Sequence, residues 1–263
     1  MSATVGDRLK MTYIGGPTAL IEAGGLRLLT DPTFDPGGEE YRTSVYTLRK
    51  TKGPALGPES LGRVDAVLLS HDHHFDNLDR TGRAMLGSVT TILTTPEGAK
   101  RLGPPAVGLV PWQSVDLPSL YGPGLRVTGT PARHGPAGGD RGPVIGFVLE
   151  TESIEGAIYI SGDTVWYEGV EEVSRRFPVR IAILFMGAAC VPQVGPAHLT
   201  FTAKEAVEAA GAFADATIIP LHYEGWEHFS ESRSQIEDAF KSAGIEHRLR
   251  WIQPGQLTLC SPM

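Results

Sequence analysis

Two cysteines, Cys190 and Cys260, are all that the 263 residues contain. So few make no disulfide framework, and nothing in the sequence calls for a bridge between them, so a reducing, cytoplasmic setting is the expectation. No apolar run approaches the roughly 20 residues that a membrane-spanning helix needs. No apolar core follows the polar start Met1-Ser2-Ala3-Thr4-Val5-Gly6-Asp7-Arg8, which argues against a secretory leader. Concentrated positive charge is also missing. The formal charge is −7, and the basic pieces Arg49-Lys50-Thr51-Lys52, Arg248 and Arg250 are short and isolated. They read as solvated surface charge, and nucleic acid is excluded as a partner because phosphate binding needs a dense basic surface. No repeat, linker or compositional break divides the chain, so a single domain over 1–263 is expected, with its oligomeric state left open.

What is abundant is turn chemistry: 32 glycines and 20 prolines, about a fifth of the chain, beside a hydrophobic content of 41% that can fill a sizeable core. Short β-type runs, Met11–Ile14, Ala19–Glu22 and Leu26–Thr30, separated by Gly-rich turns, predict an antiparallel meander that hands over to Asp31. Asp35 to Gly62 shows little periodicity and reads as a long loop near the site, a substrate-facing flap. Further strands are expected at Val64–Leu69, Thr90–Thr94, Val107–Val110, Ser114–Leu117, Leu125–Thr130, Val144–Glu150, Ala157–Ile160, Ile181–Met186, Thr217–Leu221 and a closing one near Leu249–Ile252. Helices are expected at Leu78–Leu86, after Pro96, at Trp166–Arg176, after Thr202 with Glu205 as its capping-box partner, and at Ser232–Ala243.

The chemistry concentrates at Ser70-His71-Asp72-His73-His74-Phe75-Asp76-Asn77-Leu78-Asp79, where three of the eight histidines and three aspartates fall within nine residues. It directly follows a buried-strand pattern. A strand fixes the backbone while the turn after it exposes imidazoles and carboxylates, which suits a metal. Three other strand ends carry candidate ligands: Pro131-Ala132-Arg133 leads to His134, Ser161-Gly162 to Asp163, and Leu221 to His222. Imidazole and carboxylate favour zinc, with manganese or iron open, and one or two ions are expected.

Ser-His-x-His, a lone downstream His134, Ser161-Gly162-Asp163-Thr164 and Pro220-Leu221-His222-Tyr223 together resemble the metallo-β-lactamase fold superfamily. The likeness runs from about Met11 to Ile252 and leans toward the branch of ascorbate-phosphate lactonase-like and phosphodiesterase-like hydrolases. It implies an α/β fold, a four-layer αββα sandwich of two mixed β-sheets flanked by helices. It also implies that His71, His73 and His134 hold a first metal, that Asp163 bridges, and that Asp76 with His222 holds a second, with Asp76, His134 and Asp163 central to catalysis. Asp31 resembles the aspartate that supports the ligands from behind. A metal-bound hydroxide would then cleave a small-molecule ester, lactone or phosphodiester.

The motif departs from the family's H-x-H-x-D-H in having one extra residue, and Asn77 stands where the last histidine belongs. Either His74 takes up the missing role or the second metal loses an imidazole, and counting back from Asp76 also allows His74 to replace His73 in the first site. The competing expectation, resting on Asn77, is a mononuclear or non-enzymatic member serving as a binding or regulatory module. His198 is weighed as a pocket residue against a surface one, Trp226 and His228 as a pocket wall against core, and His247 as surface.

Overall fold

The computed structural model describes residues 9–261; the start Met1–Arg8, on which the expectation about a secretory leader rests, lies outside them. β1 (Leu9–Gly15), β2 (Thr18–Ala23) and β3 (Leu26–Thr30) form the antiparallel meander. The expected long loop is not wholly irregular, because β4 (Glu40–Arg42) and β5 (Thr47–Arg49) pair as a small hairpin. β6 (Ala66–Leu68), β7 (Ile92–Thr94) and β8 (Ala106–Gly108) then add to β3 in parallel, with α1 (Arg80–Met85) and α2 (Pro96–Leu102) as crossovers.

The second half repeats that plan. β9 (Ser114–Leu117), β10 (Leu125–Pro131), β11 (Ile145–Glu150) and β12 (Ala157–Ile160) run antiparallel. β13 (Val179–Phe185) and β14 (Thr217–Leu221) follow in parallel, crossed over by α3 (Glu168–Arg176) and α4 (Ala203–Ala212). α5 (Arg233–Ser242) and β15 (Leu257–Cys260) end the fold. One mixed sheet therefore has the order β15-β1-β2-β3-β6-β7-β8 and the other β14-β13-β12-β11-β10-β9.

Period-two burial makes the layers. In β13, Ile181, Ile183 and Phe185 face the core between the sheets, while Ala182 and Leu184 face the helical layer that contains Val170, Ala206 and Phe240. In β6, Ala66 and Leu68 face the same inter-sheet core, and Val67 lies with Leu86 and Leu78 on the opposite side. Strands buried on both faces must be apolar at every position, which is why Ala66–Leu69 and Ile181–Met186 read as unbroken runs. The capping box of Thr202 and Glu205 is formed at the start of α4. No helix among the described residues is long and apolar enough to cross a membrane.

Three expectations are corrected. The closing strand is β15, paired with β1, and not Leu249–Ile252. Leu249 makes only an isolated bridge to Ile218, and Pro254, lacking an N–H, ends any ladder before the turn at Gly255. Lys50 is not solvated: it is 3% exposed, and its Nζ donates to Asp79 Oδ2 at 2.8 Å. Arg248 is buried as well, and donates to the carbonyls of Ala210 (2.6 Å) and Ala216 (2.8 Å) where α4 ends. A helix leaves its last carbonyls unpaired and carries partial negative charge there, so a guanidinium fits.

Candidate metal centre

The catalytic-type residues gather at one end of the two sheets, each delivered by a strand terminus. Asp31 follows β3, and its Oδ1 accepts from the Ser70 backbone N–H at 2.7 Å and from the Ser70 hydroxyl at 2.9 Å. Because that hydroxyl spends its proton on Asp31, it accepts from His71 Nδ1–H at 2.9 Å. The His71 Nε2 lone pair is left bare. His134, after β10, is fixed in the same sense, since its Nδ1–H donates to the Leu199 carbonyl at 2.8 Å. Both tautomers follow from these bonds.

The two bare nitrogens point at a third. His71 Nε2 lies 3.0 Å and His134 Nε2 3.2 Å from His74 Nδ1. Nitrogens sharing one tetrahedral zinc at about 2.0–2.1 Å stand about 3.3 Å apart, so these distances, which also lie in the hydrogen-bond range, are compatible with a shared ion. Asp163 Oδ2 completes the group at 3.7 Å from His134 and 4.0 Å from His71. On its other side Asp163 Oδ1 is 3.5 Å from His222 Nε2, which in turn is 3.6 Å from Asp76 Oδ2. His71, His134 and Asp163 form one set able to hold an ion, and Asp76, Asp163 and His222 another.

His73, the residue given to the first metal by the motif, is exposed, and its Nε2 meets the Arg141 carbonyl at 2.9 Å. It remains close enough to His71 and His74 for the three to form a possible ligand group, but only His74 meets both bare nitrogens. Asp72 turns away to Arg101, whose Nε donates to its Oδ2 at 2.9 Å. His198 sits with Glu205 at 3.1 Å. His247 is exposed. Trp226 packs with Tyr41, Leu48 and Val191 in a small apolar cluster. His228, which the sequence leaves between pocket wall and core, lines the cavity over the site and contacts Asp76.

The chain accepts strain to build this. Asp31 (φ 27°) and His222 (φ 53°) are non-glycine residues in left-handed backbone, a conformation that costs roughly 1–3 kcal/mol and gathers at functional sites. Gly162 is obligatory, because a Cβ there would stand 2.7 Å from the Ile145 carbonyl oxygen. The electrostatics agree with the geometry. Burial, and then the neighbouring His134, push His74 down to about 3, and burial with His74 and His134 pushes His71 well below the usual range, so both rings are neutral donors of electron pairs. For His222 burial opposes charge, yet Asp163 and Asp76 outweigh it and push the ring up to about 10. Asp76 is held well below the usual carboxylate range, its own burial being outweighed by His222 and His228.

Both oxygens of the fully buried Asp163 and both ring nitrogens of His222 have no hydrogen-bond partner among the described residues. Buried polar atoms are nearly always satisfied. A cation between imidazoles and carboxylates would satisfy the Asp163 oxygens and His222 Nε2, so the residues present fit a metal.

Fold and ligand set together define a metal-dependent hydrolase of the metallo-β-lactamase architecture. A family model described as Beta-lactamase superfamily domain matches residues 26–223, well over half the chain, and the chain belongs to that family. A UPF0173 metal-dependent hydrolase of Aeropyrum pernix is 26% identical over 262 residues, covering 94% of this chain and 96% of its own. The UPF0173 protein YddR of Bacillus subtilis is 24% identical over 261 residues, with 94% and 98% covered. Among solved structures, an isothiocyanate hydrolase from Delia radicum gut bacteria superposes with a TM-score of 0.81 at 23% identity, over 96% of this chain and 99% of that one.

Proposed function

We propose that the chain hydrolyses a small ester, lactone or phosphodiester with the help of two zinc ions. His71, His74, His134 and Asp163 would hold the first, and Asp163, Asp76 and His222 the second. The observation that carries this is the meeting of two bare imidazole nitrogens on His74 Nδ1 beside a buried carboxylate with no partner of its own. Bound ions supply Lewis acidity, making a nucleophile of water at neutral pH and offsetting the negative charge that develops on the substrate.

The chain's own groups do the rest. Asp76 lines the cavity, ionised, where its carboxylate can accept a hydrogen bond from water and orient it. Burial, followed by the Asp76 charge, raises the Tyr46 phenol above its ordinary range, so it stays a hydrogen-bond donor over the site. Arg141 places a guanidinium at the same cavity, with Nη2 on the Val194 carbonyl. Leu48, Val191 and Leu199 supply an apolar wall that excludes water and limits the substrate to a compact one. The substrate class is supported by this mixture of a small apolar wall with a cation and a phenol donor near a reacting carbonyl or phosphoryl oxygen.

The test compares His74→Ala with His73→Ala, zinc-loaded, on a panel of lactones, aryl esters and a bis-aryl phosphodiester. His74→Ala is expected to lose more than about 100-fold in kcat/KM and His73→Ala only a few-fold. Equal losses would return His73 to the centre, and an intact His74→Ala enzyme would sink the reading. Ser70→Ala removes the hydroxyl that links Asp31 to His71. Competition with a chelator should show zinc affinity about 10–100-fold weaker with the fold retained; unchanged affinity would mean that packing alone orients His71.

A further inference from the structure

Asn77 leaves the second ion short of an imidazole, and a residue 151 positions away stands in reach of the gap. We propose that His228 Nε2 is a ligand of the second ion, supplying the nitrogen that Asn77 cannot; the inference rests on the two-ion reading above. Nothing in the motif points to His228, because it lies in the aromatic loop Tyr223–Phe229, far from the His/Asp cluster in sequence.

The geometry is direct. His228 Nε2 lies 3.0 Å from Asp76 Oδ2, and His222 Nε2 approaches the same oxygen at 3.6 Å. Two imidazoles from the far side of the fold thus converge on the carboxylate that the motif contributes. The His228 side chain is 9% exposed, and its Nδ1 is buried without a partner among the described residues, where Asp76 is the ring's one polar contact.

The backbone on either side is pinned. Trp226 bridges to Lys50 and Phe229 to Ala189, while the Glu227 N–H donates to Arg49 and the Cys190 N–H to the His228 carbonyl. A ring held this firmly by its backbone, with one nitrogen aimed at a ligand carboxylate, is preorganised for a cation. Asn77, by contrast, is fully buried with neither amide atom bonded. An amide oxygen is a weaker zinc ligand than imidazole nitrogen.

The experiment is zinc content per chain after saturation and gel filtration, for the wild type, His228→Ala and Asn77→Ala. It is paired with ¹⁵N-histidine spectra of the wild type as zinc is added, which need no variant to fold. Expected are two zinc ions in the wild type and in Asn77→Ala, one in His228→Ala, and a large shift of the His228 Nε2 resonance only with the second equivalent. Two ions retained in His228→Ala, or a His228 resonance unmoved through the second equivalent, would overturn the proposal while leaving the two-ion reading intact. Loss of the second ion in Asn77→Ala but not in His228→Ala would overturn it in favour of the amide. A wild type that takes up fewer than two ions would defeat the two-ion reading itself, and the proposal with it.

Discussion

Asp163→Asn is expected to lower kcat/KM by more than about 1,000-fold, near 4 kcal/mol of transition-state stabilisation, and to release bound zinc. Asp163 is fully buried and stands between the two ligand groups, with Oδ2 toward His71 and His134 and Oδ1 toward His222. Asparagine has the same shape, so Gly162 and the turn it makes are undisturbed. It removes the charge and replaces one acceptor with a donor that faces nitrogens and cations. The same change withdraws the largest influence that raises the His222 ring, the Asp163 charge, so that ring becomes easier to deprotonate in the ion-free protein. Kinetics on the substrate found in the panel, with zinc analysis of the same samples, decide the matter. A variant that kept both ions and came within tenfold of wild-type activity would remove Asp163 from the centre.

Lys50→Met is expected to be the most damaging change away from the ligands, destabilising the fold by about 3–5 kcal/mol. Lys50 reaches Asp79, which also accepts from the backbone N–H groups of Asp35 at 2.7 Å and Gly82 at 2.8 Å, the latter capping α1. Asp79 thereby ties the flap, the motif and the first helix together. Methionine fills the volume of the lysine stem but leaves a carboxylate buried without its counter-ion. At about 2–4 °C per kcal/mol for a chain of this size, the melting temperature should fall by roughly 10 °C. Thermal unfolding followed by circular dichroism checks it. A shift below about 3 °C would mean that the two N–H groups suffice for Asp79.

How far the sequence could be read depends on how local the determining physics is. Strand runs, the Thr202 capping box and the handovers from strand to Asp31, His71 and Asp163 are set by neighbours within a few residues, and they match the architecture. Lys50 and Arg248 were misread because their partners, Asp79 and the end of α4, are distant in sequence, and a basic residue gives no local sign of burial. The closing strand was placed on an apolar run whose residues serve packing, while β15 carries an unremarkable Leu257-Thr258-Leu259-Cys260 that needs β1 beside it. His74 and His73 cannot be told apart by type or burial pattern. Only the bond of His73 to the Arg141 carbonyl, and the two bare nitrogens opposite His74, separate them. His228 shows in the sequence only its aromatic company, and its place opposite Asp76 is a product of the loop pinned at Lys50 and Ala189.

His71 and His74 hang from the β15-to-β8 sheet, whereas His134, Asp163 and His222 hang from the other. An ion gripped from both sides is therefore a cross-link along the seam where the halves of the polypeptide meet, closing loops that the chain alone must close at an entropic penalty. It binds the native arrangement and not the unfolded one, so resistance to unfolding grows by about 1.4 kcal/mol for each tenfold rise in free ion above the dissociation constant. Durability then becomes a property of the medium as much as of the chain. In ion-poor surroundings the apolar core between the sheets still holds the halves together, and only the increment supplied by the ion is lost.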